Sequence, residues 1–100
     1  MDWFEMYSFD NNKDRTKKLL EKCGIIKYHF ITIDGIDGLI IEINLNVYRV
    51  EVHPIEKKFV VLKKIISRRG QKHPHERMEV VKSFSDDCLY NSIKFVAGDS

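Results

Sequence analysis

Nine consecutive residues, Ser67-Arg68-Arg69-Gly70-Gln71-Lys72-His73-Pro74-His75, carry five cationic or titratable side chains around a glycine and a proline. Like charges crowded into one loop cost stability unless an anion compensates. Phosphate is the anion that gains most, because each Lys or Arg contact releases condensed counterions. Imidazole titrates near neutral pH, so His73 or His75 among such cations is a candidate acid or base for phosphodiester chemistry. The bland alternative is a solvated surface histidine. His73-x-His75 with a cysteine also has the look of a zinc pair, but Cys23 and Cys88 stand at no ligand spacing and no CxxC occurs. No metal and no cofactor is expected.

The loop sits inside a wider basic segment. Nine of the seventeen Lys and Arg residues lie between Lys57 and Lys82, opposed there only by Glu76 and Glu79, a formal +7. The rest of the chain has eight basic and thirteen acidic residues, a formal −5, and the whole is +2. Lys57, Lys58, Lys63, Lys64, Arg68, Arg69, Lys72 and Arg77 are therefore the expected nucleic-acid contacts. Lysines on an exposed strand edge also discourage aggregation, which accounts for Lys57, Lys58, Lys63 and Lys64 equally well and for the loop less well. No Walker loop, GxSxG, HExxH or GxGxxG is present. Cys23 before Gly24 marks a helix C-terminus, where the dipole disfavours a thiolate nucleophile. Asp34, Asp37, Asp86 and Asp87 fall in turns and caps, which speaks against a two-metal nuclease.

One hundred residues make a single domain over 1–100, and 43% hydrophobic with 32% charged residues describe a folded, soluble chain. Ile and Val dominate the apolar set and Ala97 is the only alanine, which favours strands and resembles the product of an AT-rich genome, bacterial or viral. No apolar run is long enough to span a membrane. MDWFEMYSFDNN lacks a basic start before an apolar stretch. A cytoplasmic location is expected (that of the host cell for a viral product), with Cys23 and Cys88 as reduced core thiols rather than a pair.

The elements that must position these groups are legible by period. Asn11 or Asn12 caps a helix over Lys13–Cys23, with Thr16, Leu19, Leu20 and Cys23 on one face and Gly24 at its C′ position. The aromatic group Trp3, Phe4, Tyr7 and Phe9 before it is expected to cover the core. Strands are expected at Ile25–Ile33, after the turn Asp34–Gly38, and at Phe59–Ile66. The apolar parity changes between Ile43 and Tyr48, so a tight connection belongs at Asn44-Leu45-Asn46. Glu76–Phe84 is ambiguous and reads best as a short helix. Ser85-Asp86-Asp87 caps a last helix over Asp86–Ala97, stopped by Gly98. The expected architecture is α+β: an antiparallel sheet of four or five strands with helices near both termini.

Several of these segments resemble the RelE superfamily of small ribonuclease toxins, in particular its BrnT and HigB branches. Phe9-Asp10 with Lys13 and Lys22-Cys23-Gly24-Ile25 resembles the BrnT opening helix. Ile65-Ile66-Ser67, Arg68-Arg69 and Glu76-Arg77 resemble its closing strand. Arg68 through Pro74 is similar to the basic stretch of HigB proteins, and Val47-Tyr48-Arg49-Val50 to their Tyr-Arg-Val strand. The chain departs from these patterns at Cys23, where BrnT has His, and at Asn44, where HigB has Arg. The resemblance implies metal-independent RNA cleavage, with a basic group deprotonating the ribose 2′-hydroxyl, cations holding the phosphate and an acid protonating the leaving oxygen. It implies Arg49, Arg68, Arg69 and Lys72 as the phosphate clamp, His73 or His75 as the proton-transfer group, and an antitoxin as partner. The competing class is a non-catalytic phage or mobile-element protein that binds nucleic acid or blocks a host protein, or whose basic loop meets an acidic protein surface.

Overall fold

A computed structural model of the chain describes residues 13–53, 55–67, 75–85 and 89–99. The first described element is helix α1 (Lys13–Lys22), which buries Thr16 and Leu20, one turn apart on a single face. Its end is a Schellman motif. Gly24 takes φ +75°, its N–H donates to the Glu21 carbonyl at 3.0 Å, and the Ile25 N–H donates to the Leu20 carbonyl at 2.9 Å. Ile25 is buried in turn, so the chain leaves the helix already anchored in the core.

Five strands follow as an antiparallel meander in chain order: β1 (Lys27–Ile33), β2 (Ile36–Ile43), β3 (Asn46–His53), β4 (Lys58–Ser67) and β5 (His75–Ser85). Both first hairpins close through two residues with positive φ, Asp34-Gly35 (52° and 77°) and Asn44-Leu45 (49° and 70°). These are the conformations whose twist suits a two-residue hairpin. The parity change noted in the sequence is thus the β2–β3 turn. Helix α2 (Leu89–Asp99) ends the described chain.

The register sorts side chains onto two faces. Leu39, Val50 and Val61 stand opposite one another across β2, β3 and β4, as do Val52 and Phe59 across β3 and β4. All five are fully buried in one cluster with Leu20 from α1 and Leu89, Ile93 and Val96 from α2. Both helices therefore cover the same face, and each of these side chains contributes roughly 1.5–3 kcal/mol through burial. Ile40, Arg49, Leu62 and Val80, in register across four strands, belong to the opposite face.

The α+β fold with helices near both ends matches the reading from sequence, with three corrections. Glu76–Phe84 is not a short helix: it lies within the eleven-residue strand β5. A bulge opposite Val61/Leu62 leaves Val81 without a counterpart, and this extra residue breaks the two-residue period that would have revealed the strand. Gly98 does not stop the last helix, which continues to Asp99. The strand around Phe59–Ile66 is buried only at its start, for Ile66 is 48% exposed. The aromatic group at Trp3 to Phe9, the Asn11 and Asn12 caps, Asp86-Asp87 and Cys88 lie outside the described residues; Cys23 carries a free, half-buried thiol.

Candidate nucleic-acid interface

Strand β3 alternates Tyr48, Val50 and Val52 into the core with Arg49, Glu51 and His53 on the opposite face. The alternation lines up a cation, a carboxylate and an imidazole. Glu51 holds both neighbours: Oε1 meets His53 Nε2 at 3.0 Å and Oε2 lies 2.9 Å from Arg49 Nε. The Arg49 Nε is buried and not aligned for a hydrogen bond, so that contact is coulombic. With Nε2–H donated to Glu51, the His53 Nδ1 carries a lone pair, and its nearest acid is Glu56 at 3.9 Å.

The register brings part of the basic segment beside this row. Lys58 is opposite His53 and Leu62 opposite Arg49, and Lys64 follows two residues further on the same face. Lys57 stands exposed in the turn before β4, at φ +53°. Arg49, Lys58 and Lys64 thus share one face, while Lys63 and Arg77 belong to the helix-bearing face.

Pairing changes the charge picture. Lys64 Nζ lies 3.1 Å from Glu76, Lys63 Nζ lies 3.5 Å from Asp99, and Arg77 donates from Nε (2.9 Å) and Nη2 (2.6 Å) to Glu79 Oε1. Among the described residues Lys57 and Lys58 meet no carboxylate. Arg68, Arg69, Lys72 and His73 lie outside the described residues. His75 is placed only as the first residue of β5.

Sequence reasoning missed three features. Glu51 and His53 are the first, and the signal for them is the alternation Tyr48-Arg49-Val50-Glu51-Val52-His53, which sets them on one face with Arg49. Asp99 ties the end of α2 to β3: the Tyr48 hydroxyl donates to its Oδ2 at 2.7 Å. Burial first, and then the hydrogen bond and charge of Asp99, push the Tyr48 hydroxyl up to about 12. The same hydrogen bond, with the charge and hydrogen bond of Lys63 behind it, holds the Asp99 carboxyl below its ordinary range against some desolvation. Third, Arg15, Lys18 and Lys22 share one side of α1 and, with Leu19, line a concavity of about 340 Å³.

Among the described residues no three His, Cys, Asp or Glu side chains are grouped to hold a metal ion, and no helix is long and apolar enough to cross a membrane. Compared with known proteins, the chain matches no family model, no curated protein and no solved structure.

Proposed function

We propose that the chain is a small RNA-interacting protein that contacts phosphate through the sheet face carrying Arg49, Lys58 and Lys64, with Lys57 at its rim. The observation that carries this reading is the register. It gathers Arg49 and cations from two ends of β4 onto one face, around the apolar floor of Ile40, Val60 and Leu62. Arg68, Arg69 and Lys72, next in the sequence after β4, add to these cations. Four to six phosphate contacts of this kind give weak binding with a steep dependence on salt.

The finer reading, metal-independent RNA cleavage of the RelE type, draws on the His53–Glu51 contact. Glu51 fixes the imidazole so that Nδ1 can take the ribose 2′-hydroxyl proton. The 2′-oxygen then attacks phosphorus, the bond to the 5′-oxygen breaks, and an acid protonates the leaving oxygen; His73 or His75, which the sequence offers as acid or base, is the candidate. Arg49 stabilises the charge on the crowded phosphate. The non-catalytic alternative, a phage or mobile-element protein that binds nucleic acid or blocks a host protein, is favoured in its second form by Lys63, Lys64 and Arg77 already having carboxylate partners. A surface of mixed charge suits a protein as well as a polyanion.

The test is a titration of single-stranded RNA at several salt concentrations in chelator, followed by a cleavage assay on free and ribosome-bound RNA. Salt-dependent binding with slow cleavage supports both levels. Binding without cleavage leaves only the first, and absence of binding at low salt removes the RNA reading.

A further inference from the structure

Among the described residues, strand β5 is an outer strand of the sheet and pairs with β4 alone. An outer strand presents a row of backbone N–H and C=O groups to any extended partner. Which groups these are follows from the turns. A two-residue hairpin places a hydrogen-bonded pair at its base, here Ile43 and Asn46. Alternation carried through the register from β2 to β4 directs Arg77, Glu79, Lys82 and Phe84 of β5 toward β4. It leaves Glu76, Met78, Val80 and Ser83 with their backbone groups on the outer edge.

This edge is apolar at its centre and charged around it. Val80 is 60% exposed and Val81 39% exposed, although the strand continues in good register on both sides of them. A bulge and flanking charges usually discourage pairing with arbitrary strands. They do not discourage a strand bearing the same features in reverse order. We infer that β5 pairs antiparallel with β5 of a second copy about a twofold axis between Val80 and Val81, joining the two sheets into one of ten strands.

The register argument is specific. With the axis between Val80 and Val81, bulge meets bulge, so the residues on either side stay in step. Glu79 then faces Lys82 of the second copy, and by symmetry Lys82 faces its Glu79. Met78 faces Ser83, Glu76 faces Ser85, and Arg77 faces the Phe84 ring, with no like charges opposed anywhere. Val80 and Val81 cover each other across the axis. Sliding the strands by two residues one way sets Arg77 against Lys82, a repulsion, and sliding them the other way removes the Glu79–Lys82 contact. Shifting by one residue turns the side chains of the two copies to opposite faces. The edge therefore selects one register of one partner, by attraction in that register and repulsion or mismatch in others.

The occupant is a second copy because the complementarity is internal to the strand. An isologous contact requires one patch to fit itself, and β5 does so about this axis. The inference is independent of any contact with RNA.

The experiment is the solution mass of the purified chain by sedimentation equilibrium across a concentration series, with Glu79→Lys and Lys82→Glu variants. Both side chains are exposed, and circular dichroism checks that each variant keeps the fold. The parent chain is expected to approach twice its 11.8 kDa mass. Each single variant opposes like charges at two symmetric positions and is expected to dissociate about ten- to a hundredfold more readily. An equimolar mixture of the two single variants, and the doubly exchanged variant, should recover the dimer. A parent chain that stays monomeric to high concentration overturns the inference. So do single variants that dimerise as well as the parent, or a mixture that does not recover association.

Discussion

Tyr48 and Asp99, fifty-one residues apart, are joined by a 2.7 Å hydrogen bond from phenol to carboxylate that ties the last turn of α2 to the centre of β3. Lys63 completes the group from β4, its ammonium 3.5 Å from the carboxylate and 5.5 Å from the centre of the Tyr48 ring. Tyr48 is fully buried, so its hydroxyl needs a partner, and Asp99 is the acceptor that supplies it. The contact lies on the face of the sheet opposite Arg49 and fixes the strand that carries the candidate row.

Removing the hydroxyl should loosen this end of the fold. Tyr48→Phe is expected to cost about 1.5–3 kcal/mol, the range for a hydrogen bond to a charged group, and to lower the melting midpoint by roughly 4–8 °C per kcal/mol for a domain of this size. The dependence on pH has two limbs. Tyr48 is raised from 10.0 to about 12 in the folded chain, so its contribution is complete below pH 10 and fades as pH rises through 12. Asp99 is lowered from 3.8, so its contribution is complete above that value and is lost on acidification through the lower folded value. Melting curves of the parent and Tyr48→Phe should therefore converge at both extremes and differ most between. A difference that does not vary with pH would assign the loss to packing.

Two backbone positions with the same conformation should respond in opposite directions. Gly24 holds φ +75° at the end of α1, and nothing lies within 4 Å of where a Cβ would stand. Gly24→Ala therefore meets no clash, only the penalty of the left-handed region, and is expected to destabilise by about 1 kcal/mol. Leu45 holds φ +70° and is fully exposed, so it suffers that penalty without gaining burial. Leu45→Gly gives the favoured Asn-Gly turn and is expected to stabilise by up to about 1 kcal/mol. Denaturant midpoints of the two variants on either side of the parent are the outcome to look for.

What could be read from the chain alone follows from how local each signal is. The cap at Gly24, the turn at Asn44-Leu45 and the alternation of Tyr48, Val50 and Val52 depend on near neighbours, and all stand in the structure. The β5 strand was hidden because Val80, Val81 and Phe84 mimic helical spacing once a bulge adds a residue. The Tyr48–Asp99 contact depends on α2 passing Gly98, which no local rule required. The net charge of the basic segment follows from composition, whereas its ion pairs depend on strand register. The pairing of β4 with β5 sets Glu76 beside Lys64, and the two-residue period within β5 sets Glu79 beside Arg77, so acids that look outnumbered in the sequence are placed where they neutralise.

The cations left without carboxylates give a test of where phosphate binds. Lys57→Ala with Lys58→Ala should flatten the slope of log affinity against log salt by about 1.4 for single-stranded RNA, two contacts at roughly 0.7 each. Ala at Arg15, Lys18 and Lys22, on the other side of the molecule, should leave the slope unchanged if the β3–β4 face is the contact. The reverse result would move the interface to α1.

The last prediction concerns His53. It is tied to Glu51 at 3.0 Å and two residues along the same strand face from the Arg49 contact. Positioned as a base, it should contribute roughly 10²–10⁴-fold to a cleavage rate. His53→Ala is then expected to lower the single-turnover rate by that factor in chelator while RNA affinity changes little, because the imidazole acts on the 2′-hydroxyl and not on ground-state phosphate. Glu51→Gln keeps the shape but removes the charge that orients the ring, and should lower the rate less than His53→Ala does. Arg49→Ala should weaken both affinity and rate, since it meets phosphate in the ground state and in the transition state. A chain that binds RNA but cuts at the same rate with and without His53 would leave the row on β3 as a binding surface alone.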